Sequence, residues 1–422
     1  MSASEQFNDL SIELTKKLDN DEKKKNGIFF TPKNTVIKIS EFIYKYCQKE
    51  GIRIKRILEP SCGSGQFFEN IDILKLGNNV DIVGIEKHQE IRKKIKKKKF
   101  FQKITYPRTT DFLEYNPEEK FSLVIGNPPY FVMKKNDVDE PYYKYFDGRP
   151  NIYILFIIHS LTFLADKGIL AFVLPKNFLN CIYYNKLRKH INNKYRVLNI
   201  MDFSEDNYIE TQQPTIGLII QKNEPTKNDF TMNINDFTIF NTKEAIKELN
   251  GLVEGTTTLD EMGFSVSVGN VVWNQVKDLL TDEEIEEIDG KKQTRTRLIY
   301  SGDIVNNKLT MVSYKNKDKK RFIKKEGDDN MLLIINRGYG KGKYKFNYCL
   351  INENKKEKIT YLIENHLIRI KYKTDNRKEL KKQYNIVMKS FKDERTNKFI
   401  DRYFGNNAIN TTELQYILPI FT

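Results

Sequence analysis

The chain has little of the chemistry that staples or metallates a small fold. Its four cysteines, Cys47, Cys62, Cys181 and Cys349, are scattered without a Cys-x-x-Cys pair, and its four histidines share no ligand spacing with them. A disulfide framework or a structural metal is therefore not expected. The N-terminus is polar, without an apolar h-region, and no apolar run reaches the roughly 18 residues that a bilayer crossing needs. These absences lead us to expect a soluble, intracellular protein of a reducing compartment, with no metal and no membrane partner.

Positive charge is what the chain has in excess. Lysine and arginine number 71 against 56 acids, a formal charge of +15, with 12% aromatic residues. Such a surplus suits a polyanion, because each phosphate neutralised releases a counterion. A length of 422 residues suggests two domains, and 39% hydrophobic residues can build both cores.

Residues 1–25 are charged and read as a mobile N-terminal arm or a short surface helix. Val36, Ile39, Ile43 and Tyr46 then space a helix over Thr35–Gln48. Beyond it, apolar strands at Ile54–Leu58, Val80–Ile85, Phe121–Ile125 and Ile169–Leu174 alternate with helical stretches at Gln66–Leu76, Gln89–Lys99 and Asn151–Ala165. That rhythm predicts an α/β, doubly wound, mostly parallel sheet. The basic run Arg92–Lys99 reads as a solvated helix face. A polar stretch around Asn223–Asn235 marks a boundary, giving domains of 26–230 and 231–422, the second of mixed α/β type.

The strand at Phe121–Ile125 ends in Asn127-Pro128-Pro129-Tyr130. As a turn this sequence is unremarkable, but its chemistry suits a planar amine, whose lone pair is delocalised and must be drawn back onto nitrogen. The Asn127 side-chain oxygen and the Pro128 carbonyl can act as oriented acceptors, the prolines stiffen the loop, and Tyr130 offers a flat face for a base.

Upstream, the strand at Ile54–Leu58 runs into Glu59-Pro60-Ser61-Cys62-Gly63-Ser64-Gly65, a turn that lets a ligand approach the backbone. It is neither a Gly-x-Gly-x-x-Gly fingerprint nor a P-loop, and Glu59 would repel a phosphate. Glu86 ends the next strand, where a ribose acceptor sits in doubly wound folds, and Asp111 with Phe112 offers an acceptor beside an aromatic face. Three carboxylates at successive strand ends, without phosphate recognition, suit S-adenosylmethionine, which carries a ribose diol, an adenine, an ammonium and a sulfonium.

In this order Phe29-Phe30-Thr31-Pro32, Glu59–Phe67, Glu86, Asp111-Phe112, Asn127–Tyr130 and Gly148-Arg149-Pro150-Asn151-Ile152-Tyr153, the sequence resembles N6-adenine DNA methyltransferases of the gamma arrangement, the TaqI-like branch. The resemblance is strongest in the first half. It implies a seven-stranded sheet and site-specific methylation of adenine N6 in duplex DNA, as the modification part of a restriction-modification system acting as a monomer beside a separate endonuclease, in a bacterium or a virus-infected cell. Phe30 and Thr31 would meet the methionine part of S-adenosylmethionine. Glu59, Pro60, Ser61, Cys62 and Gly63 would line the turn beneath it, Glu86 would take the ribose, Asp111 and Phe112 the adenine, and Pro129 would border the cofactor. Asn127 and Pro128 would hold the target amine of a base flipped from the duplex, stacked on Tyr130 and on a second aromatic, Tyr208 or else Phe203.

The carboxyl half resembles that branch's specificity domain more loosely, through Val268–Val271, Ile335–Gly340 and Glu364–His366, with Arg337, Tyr339 and Lys341 as candidate DNA contacts and His366 as a packing residue. Methylation of adenine in RNA or of a protein glutamine amide uses the same loop chemistry and stays open, as does a DNA-binding module without catalysis.

Overall fold

The computed structural model describes residues 6–77, 79–206, 213–223, 228–288, 291–338, 344–354, 358–404 and 408–422. The chain divides into two compact units, Met1–Lys247 and Glu248–Thr422.

The first unit begins with packed helices where a mobile arm was expected. Helices α1 (Asp9–Lys17) and α2 (Asn20–Asn26) are capped by the side chains of Asn8 and Asp19. Phe7, Leu10, Leu14 and Leu18 are buried in the same core as α3 (Lys33–Glu50). Charge masked the apolar spacing of three and four residues that defines this face.

Strands β1 (Arg56–Glu59), β2 (Asp81–Gly84), β3 (Phe121–Gly126), β4 (Leu164–Pro175), β5 (Arg196–Asp202) and β6 (Thr215–Gln221) form one sheet in the order β2-β1-β3-β4-β6-β5. Pairings within β2-β1-β3-β4 are parallel, whereas β6 runs antiparallel to both β4 and β5. The sheet is thus mixed, and it has six strands among the described residues where seven were expected. At its edge Thr105 makes only an isolated parallel bridge to Val83. Pro107, two residues on, has no N–H with which to extend that ladder.

Alternate strand residues face opposite sides. Leu58, Val124, Phe172 and Leu218 share a core with helix Ile152–Phe163, while Ile57, Leu123, Ala171 and Ile219 share another with α1 and α3. A hairpin, Thr231–Ile234 with Phe237–Phe240, belongs to this unit, so the unit runs past the break expected at residue 230. The buried Arg188 holds the hairpin there, donating through Nε to the Thr238 carbonyl at 2.7 Å and through Nη1 to that of Phe178 at 3.0 Å. The basic run starts on helix Gln89–Ile95, with Ile91 and Ile95 inward and Lys93 and Lys94 ion-paired to Glu90 and Glu13, which is the solvated face its sequence predicts.

The second unit contains two four-stranded sheets among the described residues. One is antiparallel, in the order Tyr348–Ile351, Leu332–Asn336, Leu367–Tyr372, Phe264–Val268. The other is mixed, its strands Thr296–Ile299 and Tyr361–Ile363 running parallel.

Candidate functional site

A cavity of about 580 Å³ opens at the carboxyl ends of β1, β2 and β3, within the size range of small-molecule sites. Phe30, Thr31, Glu59, Pro60, Ser61, Cys62, Gly63, Glu86, Asp111, Phe112, Asn127 and Pro129 all line it. Residues from five separate sequence segments therefore meet around one space.

The turn after β1 fixes the cavity floor. Gly63 and Gly65 adopt left-handed φ of 53° and 79°, and a Cβ on Gly65 would lie 2.3 Å from the Phe100 ring, so a side chain there is excluded twice over. Turn and next strand end are knitted together, because Cys62 N donates to the Ile85 carbonyl at 2.8 Å and Gly63 N to Glu86 Oε2 at 2.8 Å. Glu86 Oε1 accepts from His88 N at 2.7 Å. Burial raises the Glu86 pKa, and these two N–H donors oppose that rise.

Glu59 has no such support. Its carboxyl is 1% exposed, and Oε2 has no hydrogen-bond partner among the described residues. Burial, reinforced by the negative charge of Glu86, holds its pKa well above the usual carboxyl range. Of the two acids, Glu59 is the one that keeps a proton. A cationic group entering the cavity would relieve both the repulsion and the unmet acceptor.

Asp111 Oδ2 accepts from Lys87 Nζ at 2.6 Å, and Oδ1 accepts from Leu113 N at 3.1 Å, which caps the short turn Phe112–Glu114. The Phe112 ring is fixed by Phe156 and His159, with centroids 4.8 and 4.9 Å away.

At the other end of the cavity, Asn127 Nδ2 donates to the Phe29 carbonyl at 3.1 Å, and the Asn127 carbonyl accepts from Ser61 Oγ at 3.0 Å. The Tyr130 hydroxyl lies within reach of both Asn127 Oδ1 and the Val173 carbonyl, 2.8 Å from the latter, two acceptors that share its single proton.

Tyr130 is not the open face that its sequence suggested. Its ring is 9% exposed, covered on one side by the stacked Phe29 (centroids 6.0 Å, 26°) and met edge-on by Tyr153 (5.9 Å). Neither Tyr130 nor the buried Pro128 lines the cavity, unlike Asn127 and Pro129. The cause is a close backbone approach: Tyr130 N donates to the Gly27 carbonyl at 3.3 Å, and a Cβ on Gly27 would fall 2.4 Å from Tyr130 N. That approach brings Phe29 over the ring.

Tyr208 lies outside the described residues. Phe203 is buried against the opposite face of the sheet, in the core of Val36, Ile39 and Ile219, and cannot face Tyr130 across a base. Arg337 is half-buried at the end of its strand, and Tyr339 and Lys341 lie outside the described residues. His366 is half exposed instead of packed, its side chain 48% accessible.

Sequence reasoning missed Gly27, Phe29 and the N-terminal helices. Asn8 N donates to Gln66 Oε1 at 3.0 Å, Ser11 and Ser64 hydroxyls meet at 2.7 Å, and Glu22 reaches His88 Nε2 at 2.9 Å, so α1 and α2 brace the turn and the cavity wall. The spacing of Phe7, Leu10, Leu14 and Leu18 behind the capping Asn8 was the available signal.

Residues 66–209 match the family described as Eco57I restriction-modification methylase. Along its length the chain is 29% identical to the Type II methyltransferase M.CvrRI of Paramecium bursaria Chlorella virus XZ-6E, covering 98% of this chain and 99% of that protein. It is 26% identical to the modification methylase CviBIII of Paramecium bursaria Chlorella virus NC1A, covering 99% of each. Among solved structures, the methyltransferase subunit of a type I restriction-modification system from Streptococcus thermophilus is 17% identical, with a TM-score of 0.39 over 54% of this chain and 53% of that one.

Proposed function

We propose, from the likeness to Type II and modification methylases along almost the entire chain, that this protein transfers a methyl group from S-adenosylmethionine to N6 of an adenine flipped out of duplex DNA. The observation that carries the reading is Asn127, its side chain pinned at the edge of a cavity whose far wall holds Glu59, Glu86 and Asp111.

The residues present fit the cofactor. The unpartnered Glu59 carboxyl suits a cationic end, the ionised Glu86 suits a ribose diol because each carboxylate oxygen has a second lone pair, and Asp111 with Phe112 suits an adenine amine and ring. When bound, S-adenosylmethionine supplies an electrophilic methyl on a sulfonium.

The chain's own part is orientation. Asn127 Oδ1 keeps one lone pair beyond the one shared with Tyr130, and with the Pro128 carbonyl it would accept from the target amine and stabilise its growing positive charge. No strong base is required, since the amine attacks neutral and sheds its proton afterwards. Tyr130 would serve first through its hydroxyl, which positions Asn127, and as a stacking face only after Phe29 moves. Tyr208 remains the proposed second aromatic. The positive surplus suits the DNA backbone, and the unit Glu248–Thr422 is proposed to select the target sequence, with Arg337, Tyr339 and Lys341 as contacts and a separate endonuclease as its counterpart.

The test is to incubate the protein with methyl-labelled S-adenosylmethionine and, separately, duplex DNA, ribosomal RNA and protein, then to identify the labelled product. Label in N6-methyladenine of the duplex supports the reading. Label confined to RNA or to glutamine overturns it.

A further inference from the structure

In the second unit a buried acid holds an exposed imidazole. Glu364 lies in the turn between strands Tyr361–Ile363 and Leu367–Tyr372, with 1% of its surface exposed. Its Oε2 accepts from His366 N at 3.0 Å, and its Oε1 pairs with His366 Nδ1. Burying a carboxylate is unfavourable unless hydrogen bonds compensate, and both oxygens here are engaged by the same half-exposed residue. A carboxylate at Nδ1 fixes the ring's orientation and places the proton on Nδ1, leaving Nε2 as the ring's acceptor in the neutral imidazole.

The turn is locked to two neighbouring segments. Val271 and Glu364 form a parallel bridge, Gly269 N donates to the Leu367 carbonyl at 2.9 Å, and a Cβ on Gly269 would lie 2.1 Å from the Glu364 carbonyl. Arg337 N meets the His366 carbonyl at 3.4 Å. One end of the antiparallel sheet therefore gathers Val268 (43% exposed), the exposed Asn270, Arg337, Asn365 and His366. Within these three segments, 268–271, 336–338 and 364–367, the only acid is Glu364, and it is turned inward.

We propose that this end of the sheet reads base edges in the target DNA, with His366 as a specificity-determining residue positioned by Glu364. The inference rests on the DNA reading above and deepens it. An apolar side chain, amides, an imidazole and a guanidinium, without an exposed acid, are the groups that match thymine methyls and the donors and acceptors of the major groove. With Nδ1–H committed to Glu364, neutral His366 accepts, which suits the exocyclic amine of adenine or cytosine.

The experiment uses the full chain, methyl-labelled S-adenosylmethionine and a pool of duplexes randomised around the site that the unaltered protein methylates. His366→Ala is expected to lower kcat/KM on the preferred duplex about ten-fold, with the lost discrimination confined to one base-pair position and with cofactor affinity and Tm unchanged. Glu364→Gln, whose amide can donate to Nδ1 and move the ring proton to Nε2, is expected to alter preference at that same position. A uniform loss over all duplexes, or unchanged preference in both variants, overturns the proposal. If the unaltered protein methylates no duplex at all, the DNA reading itself fails, and this inference with it.

Discussion

The side-chain amide of Asn127 donates to the main-chain carbonyl of Phe29, 3.1 Å away across 98 residues of sequence. That bond decides which way the amide faces: with Nδ2 engaged by Phe29, Oδ1 is the atom turned toward Tyr130, and it keeps a lone pair for a substrate. The N-terminal segment thus sets the polarity of the residue on which the proposed transfer depends.

Asn127→Ala removes the proposed acceptor without touching the turn at Gly63 or the acids beyond it. Methyl transfer should fall at least about a hundred-fold, the scale of losing one preorganised polar group at a reacting centre. Cofactor affinity by calorimetry should stay within about two-fold of the unaltered protein, since only one wall of the cavity changes. Near-normal turnover would remove Asn127 from the reaction.

Gly27→Ala forces a Cβ to within 2.4 Å of Tyr130 N at a φ of +63°. The variant should lose about 1–3 kcal/mol of stability in urea titration, from strain and the displaced backbone contact. Methylation should fall further than stability alone explains, because Phe29 and Asn127 move together. Full activity in the folded variant would show that this approach does not position Asn127.

Glu59 has a folded-state pKa above its ordinary 4.5 because it is buried beside Glu86. Folded protein then binds more protons than unfolded protein between those two values. Its contribution to stability is complete below pH 4.5 and is lost as pH rises through the raised pKa. Glu59→Gln should therefore raise the Tm of the empty protein above that range and flatten its decline with pH. The same change should weaken cofactor binding about ten-fold, a charge-assisted bond being replaced by a neutral one. If Glu59 meets a cationic group, binding by the unaltered protein at mildly acidic pH releases a proton, visible as a dependence of the calorimetric enthalpy on buffer. An identical enthalpy in buffers of different ionisation heat would count against that role.

Leu14 is fully buried under the cavity-bracing helices. Leu14→Ala should cost about 2–5 kcal/mol in chemical denaturation, the range for emptied leucine sites. An unattached arm would show no change.

The sequence by itself determined the alternation of strand and helix, the two-unit division and the residues around the cavity. Each of these is local: strands such as Leu332–Asn336 and Thr215–Gln221 occur where their apolar runs predict them, and Glu59, Glu86 and Asp111 follow strand ends or open a turn. Tertiary structure decided what depends on partners distant in the chain. The edge of the sheet stopped at an isolated bridge, the hairpin at Thr231–Phe240 joined the first unit through Arg188, and charged residues 6–26 folded because their apolar face found a core. Tyr130 changed most. Its sequence gives an aromatic after two prolines, but a neighbouring glycine without a side chain lets Phe29 close over the ring, and such a contact depends on space that no local pattern records.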